Sequence, residues 1–276
     1  MCYSAMVEQD VQRLAKRFGA EAVVADWNAF EALRANSADH LTPSKATPTP
    51  PLTDRIYPGY FAPILTMTDN KPTLRLMRYS VEPPEWIATS KNYTSFNARR
   101  DNLRSAFWSE SFQKHHGILV LKGFFEWVAV KDVIQAGRIS LEEVKAQFEH
   151  QKLARKQRLK ELKKPYSPTK AELTSPLLRK VVIQFSALGE QELLVPVIYS
   201  LRTPPGGHTR MGFAMVTDDP PPEVAAAGHD RCPVILSADA AERWWRQGPT
   251  LSVGQIAEIL DQKPSLNFGH TLTAAG

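Results

Sequence analysis

"GILVLKGFFEWVAV", residues 117–130, is the stretch on which the reading of the fold turns. Its β-branched and aromatic content marks a strand, and its nearly unbroken apolar character marks a buried one. Runs of the same kind lie on both sides: "YFAPILTM" (60–67), "TLRLMRY" (73–79), "KVVIQFSAL" (180–188), "LLVPVIYSL" (193–201), "MGFAMVT" (211–217) and "CPVILS" (232–237). No crossover helix separates most of them, which argues against a doubly wound parallel sheet. The expected architecture is α+β: a single domain with a barrel-like, mainly antiparallel curved β-sheet and peripheral helices.

Helices are expected at the margins. Val7, Val11, Leu14 and Phe18 recur at helical spacing with Gly19 as a stop, and Trp27, Phe30 and Leu33 mark a second helix after Asp26. Residues 37–58 are rich in Pro, Thr and Ser and read as a surface loop. "SLEEVKAQFEHQKLARKQRLKELKKP" (140–165) is different in kind. Ser140 and Glu143 have capping-box spacing, acidic residues lead, basic ones follow, and Pro165 should end the helix. Its apolar stripe (Leu141, Val144, Phe148, Leu159, Leu162) is thin, so it should dock lightly over a length of roughly 35 Å. It reads as an insertion whose basic second half is a solvated face before it is a binding site. "ADAAERWWRQ" and "SVGQIAEIL" predict two further helices, the first packing Trp244 and Trp245 on the body, before a polar end.

The bulk properties exclude some classes. The chain has 276 residues, 43% hydrophobic and 23% charged, with a net charge of +5. Cys2 and Cys232 cannot make a disulfide framework, and no apolar stretch is long enough to span a bilayer. A cytoplasmic, reducing setting is expected, and the positive charge makes a polyanion a reasonable partner.

Four places carry candidate chemistry. Cys2 is either a small core residue or, once Met1 is removed, a 1,2-aminothiol. Its α-amine, with a pKa of about 7.7–8.0, would be far more neutral at pH 7 than an unperturbed lysine. It could form an imine with an aldehyde, and the thiol could then close a five-membered ring. An N-terminal nucleophile hydrolase would use the same pair differently. Glu126 either alternates outward, with Phe125 and Trp127 facing in, or is buried and works as an acid and base. Taken alone, the outward orientation is the simpler expectation. His229, in "GHDRCPVIL", is either a proton shuttle or part of a turn with a local ion pair. Asn97, Arg99, Arg100 and Arg104 cluster in "SFNARRDNLRSAF", where arginine forks suit phosphate and an asparagine amide can orient an amine or carbonyl.

"MCYSAM", "FNARRDN", "GFFEWV" and "GHDRCPVIL", in that order, resemble the SOS-response-associated peptidase (SRAP) family, with weaker echoes in "YPGYFAP" and "LMRYSVEPPEW". The resemblance covers roughly residues 1–245. It implies an SRAP-like domain over 1–250, interrupted by a basic helical insertion at about 135–175, and a C-terminal helix and polar tail over 251–276. It implies binding of single-stranded DNA containing an abasic site and a thiazolidine cross-link through Cys2 after self-removal of Met1. By motif, Cys2 would be the nucleophile, Asn97 would hold the amine or opened sugar, Glu126 would manage protons and His229 would assist ring opening. Arg99, Arg100, Arg78 and Trp86 would contact DNA. No cofactor or metal is implied, a monomer is expected, and the protein would be nucleoid-associated when on DNA. The competing readings are a thiol-dependent peptidase and a non-catalytic single-stranded DNA-binding protein. Two departures stand out: the Gly-Arg usual after the cysteine is missing, and Cys232 replaces a common methionine.

Overall fold

In the computed structural model, residues 4–35, 51–84, 87, 95–137, 139–189, 191–203 and 209–273 are described. The strands are β1 (Ser4–Val7), β2 (Glu21–Ala22), β3 (Arg55–Ile56), β4 (Phe61–Thr68), β5 (Lys71–Arg78) and β6 (Asn97–Arg99), then β7 (His116–Ala129), β8 (Lys180–Ala187), β9 (Leu193–Arg202), β10 (Arg210–Asp218), β11 (Cys232–Pro233) and β12 (Phe268–Thr273). Around them lie α1 (Val11–Phe18), α2 (Val24–Ala35), α3 (Ser109–Lys114), α4 (Val130–Gln135), α5 (Leu141–Glu161), α6 (Lys170–Leu173), α7 (Pro222–Ala226), α8 (Ala238–Gln247) and α9 (Val253–Ile259). The architecture is mixed α+β, with one curved sheet and helices outside it.

The sheet curls because β7 is long enough to serve two sets of neighbours. Its first half pairs antiparallel with β9 (His116↔Ile198 to Leu121↔Leu193) and touches β4 at Ile118↔Leu65. From there β4 pairs with β5, β5 meets β10 at Arg78↔Gly212, and β10 returns to β9, so the strands make a partial ring. The second half of β7 leaves that ring and is flanked by β1 and β8. β8 in turn carries β12, so residues 268–273, read from sequence as a polar end, add a sheet strand.

A bulge separates the two halves of β7. Val7 faces Leu121 but Met6 faces Gly123, leaving Lys122 without a register partner on β1. An extra residue on one strand shifts the side-chain phase of everything beyond it. Before the bulge Leu119 and Leu121 enter the main core; after it Phe124 and Val128 do, and Glu126 lies between them on the same face. Lys122 is held at the surface by buried Glu8 at 3.3 Å, which Arg13 also grips at 2.7 Å. Burial would push the Glu8 carboxyl up, but the Asp10 N–H, Lys122 and Arg13 outweigh it and hold the group below the usual carboxylate range.

Local signals hold where they were strongest. Gly19 ends α1 in the left-handed region at φ 58°. Val7, expected on that helix, belongs instead to β1, because Asp10 caps the helix by accepting from Arg13 N–H. The Ser140–Glu143 capping box is formed, and only Val144 of α5 is buried. The helix stops at Glu161, four residues before Pro165, whose ring would meet that carbonyl. Lys163 turns left-handed at φ 53°, and Lys164 N–H reaches Leu159 O at 2.9 Å. On the other side of the sheet, α8 buries Trp244 and Trp245, and Trp244 Nε1 donates to Gly117 O at 3.0 Å.

Candidate active site

Glu126 lies in the interior against His229. It has no solvent exposure, and its Oε2 lies 2.9 Å from His229 Nε2, itself only 10% exposed. The simple alternation expected from sequence is therefore reversed: Glu126 points inward and Trp127 is 41% exposed. The bulge at Lys122 is the reason. Phe125, on the other face, is covered by Arg55, whose guanidinium lies 3.8 Å above the ring.

His229 is oriented from behind. Its Nδ1 is 2.8 Å from Arg231 O, so Nδ1–H donates to that carbonyl and Nε2 is left for Glu126. Asp230, which sequence offered as an ion-pair partner, is 88% exposed and 3.9 Å from Nδ1, too far for a hydrogen bond. The Nε2–Oε2 contact thus brings two groups capable of carrying a proton within hydrogen-bond distance of each other. Such a pair can donate and accept in turn at one position.

Asn97 enters the same interior from β6. It is 4% exposed, and Tyr79 Oη donates to its Oδ1 at 3.1 Å, which fixes the amide's orientation. Tyr79 shares the apolar core with Phe124 and Val128 and stacks on Phe213 at 5.1 Å. β10 ties these parts together: Met215 pairs with Asn97, and Thr217 pairs with Pro233, four residues after His229.

Strand β1 comes to this place as well. Ser4 is the register partner of Phe125, the neighbour of Glu126. Arg55 Nη2 is 3.3 Å from Ser4 Oγ, so a guanidinium stands at the first residue of β1. Arg55 was missed in the sequence because it ends a Pro-rich segment that reads as loop; only its pairing with Met6 reveals it. Tyr79, in the run quoted for Arg78, was likewise passed over. Cys2 and Trp86 lie outside the described residues.

The arginines differ. Arg99 is 45% exposed and donates through Nε to Asp101 at 2.9 Å, a bond that raises its pKa. Arg100 is clasped by Asp261 at 2.7 Å and Asp218 at 3.2 Å, which hold its pKa up and tie the Arg100–Asn102 turn to β10 and α9. Arg78 is 6% exposed and donates to Gly59 O at 3.2 Å. Gly59, at φ 96°, leaves the room: a Cβ there would stand 3.3 Å from Arg78 Nη2. Arg104 is exposed. Cys232 packs in the core, and burial pushes its thiol up to about 12, so it is inert as a nucleophile at neutral pH.

The fold and site define a mixed α+β protein with a buried Glu–His pair near the strand Ser4–Val7. The chain belongs to the SOS response associated peptidase (SRAP) family, whose model matches residues 1–269. Membership supports an SOS-response-associated DNA-binding protein. Solved structures with the same fold include a protein from Bacteroides thetaiotaomicron, 16% identical, covering 99% of this chain and 92% of that one, with a TM-score of 0.61. A Bordetella bronchiseptica protein is 14% identical over 99% of this chain and 100% of its own, with a TM-score of 0.58. A phage-related protein from the same organism is 17% identical over 85% and 87%, with a TM-score of 0.53. No curated protein matches the chain. Among the described residues no helix is long and apolar enough to cross a membrane.

Proposed function

We propose that this protein captures abasic sites in single-stranded DNA by a covalent thiazolidine cross-link through Cys2, shielding the lesion. The observation that carries the reading is the buried Glu126–His229 pair at 2.9 Å beside Phe125, the register partner of Ser4. Cys2 is two peptide links from Ser4, at most about 7.6 Å between Cα atoms.

The chemistry balances without a cofactor. Proton transfer to the ring oxygen opens the abasic sugar to its aldehyde. The Cys2 nitrogen bonds to the aldehyde carbon, and the carbonyl oxygen leaves as water, giving an imine. The sulfur then adds to the imine carbon and its proton passes to nitrogen, so the adduct equals protein plus DNA minus one water. The Glu126–His229 pair serves the first two steps, His229 acting in ring opening and Glu126 in dehydration. Asn97, held by Tyr79, presents its amide to the amine or opened sugar. Arg99, exposed on the surface, exchanges Asp101 for a DNA phosphate; Arg78 and Arg100 contact the DNA beside it, and Trp86 contacts a base. Met1 is released by autoproteolysis: the methionyl group passes from the Cys2 nitrogen to its sulfur, the freed nitrogen keeps the thiol proton, and a water activated by the Glu126 carboxylate hydrolyses the thioester to free methionine and the thiol. The protein acts as a monomer, associated with the nucleoid when bound.

Incubation with an abasic single-stranded oligonucleotide tests this. Matured protein should give a heat-stable adduct of the stated mass, abolished by Cys2→Ala and by acetylation of the amine. Absence of any adduct from protein whose mass shows Met1 removed would sink the proposal.

A further inference from the structure

The basic insertion has a groove of its own. Between α5, α6 and β8 runs a depression of about 580 Å³ whose lining includes Trp127, Lys152, Lys170, Leu178 and Lys180. It opens on the outer face of β7, where Trp127 directly follows Glu126. Charge is concentrated here. Residues 139–180 hold eleven Lys and Arg against five Glu, a net +6, while the whole chain is +5, so the remainder sums to −1.

Not all of that charge is available. Arg155 is committed to Glu172 at 2.9 Å and to Ser167 O, and Arg179 donates to Thr174 O and Glu172 O while stacking on Phe148 at 4.4 Å. These two arginines build the wall. Lys170 and Lys180 are exposed, and Lys152 has only Glu149 on its own helix at 3.2 Å. Three lysines therefore line the same depression as an exposed indole and the side chain of Leu178, itself 78% exposed. Phosphates need the first and unstacked bases the second.

We infer that this groove binds the single strand flanking the lesion, with Lys152, Lys170 and Lys180 on phosphates and a base stacked on Trp127. The inference rests on the capture reading for its ligand but on different residues. In salt titrations with undamaged oligothymidine, Lys152→Ala/Lys170→Ala/Lys180→Ala should bind about 50-fold more weakly at 0.15 M salt, with a log–log slope shallower by about 2. Trp127→Ala should weaken binding about tenfold with the slope unchanged, because stacking releases no counterions. The triple variant should still cross-link an abasic trinucleotide, too short to reach the groove, at the wild-type rate. Unchanged affinity and slope in the triple variant overturn the inference. So does displacement of the DNA by polyglutamate at equal charge, which would assign the groove to an acidic polypeptide. Groove-dependent binding without cross-linking to any abasic strand would sink the capture reading alone.

Discussion

Replacing Glu126 by Gln changes little except the proton. The side chain is fully buried and its Oε2 is 2.9 Å from His229 Nε2. Gln has the same shape and can donate its amide N–H to Nε2, while Nδ1–H stays on Arg231 O. The fold should lose about 1–2 kcal/mol, the difference between a charge-assisted and a neutral hydrogen bond. Chemistry should suffer far more, because an amide can neither take nor release the shared proton. Removing such a group costs about 10²–10⁴ in rate. The assay is single-turnover cross-linking to an abasic oligonucleotide after Met1 has been removed with an aminopeptidase, beside urea unfolding of the same sample. A rate within threefold of wild type, from fully folded protein, would refute the assignment. Intact mass gives a second reading: retention of Met1 in untreated Glu126→Gln supports autoproteolysis, and its loss assigns removal to a cellular enzyme.

Three further outcomes are expected. A Cβ at Gly248 would lie 2.0 Å from His116 Nδ1, a ring packed 4.4 Å from Trp244, so Gly248→Ala should cost about 3 kcal/mol and lower Tm by roughly 6–10 °C in a thermal melt. Burial lowers the His116 pKa from 6.5 to about 4, so the unfolded chain binds this proton first; stability is complete above pH 6.5 and falls by about 3 kcal/mol towards pH 4. Half-buried His115 is shifted the same way, and His116→Gln should flatten most of the slope in urea unfolding across that range. Arg100→Leu removes the cation that bridges Asp218 and Asp261 but leaves Lys263 on Asp218 at 2.8 Å, so it should cost about 1 kcal/mol, while the salt slope of DNA binding stays put; a slope shallower by about 0.7 would instead assign Arg100 to a phosphate.

Much of the molecule was legible because the relevant signals are short. A capping box needs four residues, and Ser140 and Glu143 carry one; a left-handed stop needs one glycine, and Gly19 is it. The apolar runs that predicted strands became β4, β5, β7, β8, β9 and β10, and the paired tryptophans of α8 are buried as expected. Asn97, Glu126 and His229 were singled out by ordered motifs, and all three side chains lie inside. What no local pattern contained was the orientation of Glu126 or the presence of Arg55 at Ser4.

By itself, the order of residues determined which segments are strand and which helix, where helices start and stop, and which side chains have reactive groups. Those properties depend on neighbours within a few positions along one chain. Only the tertiary structure decided that Glu126 points at His229. That outcome depends on a single unmatched residue, Lys122, between β1 and β7. A register mismatch belongs to two strands at once, so neither strand's sequence records it.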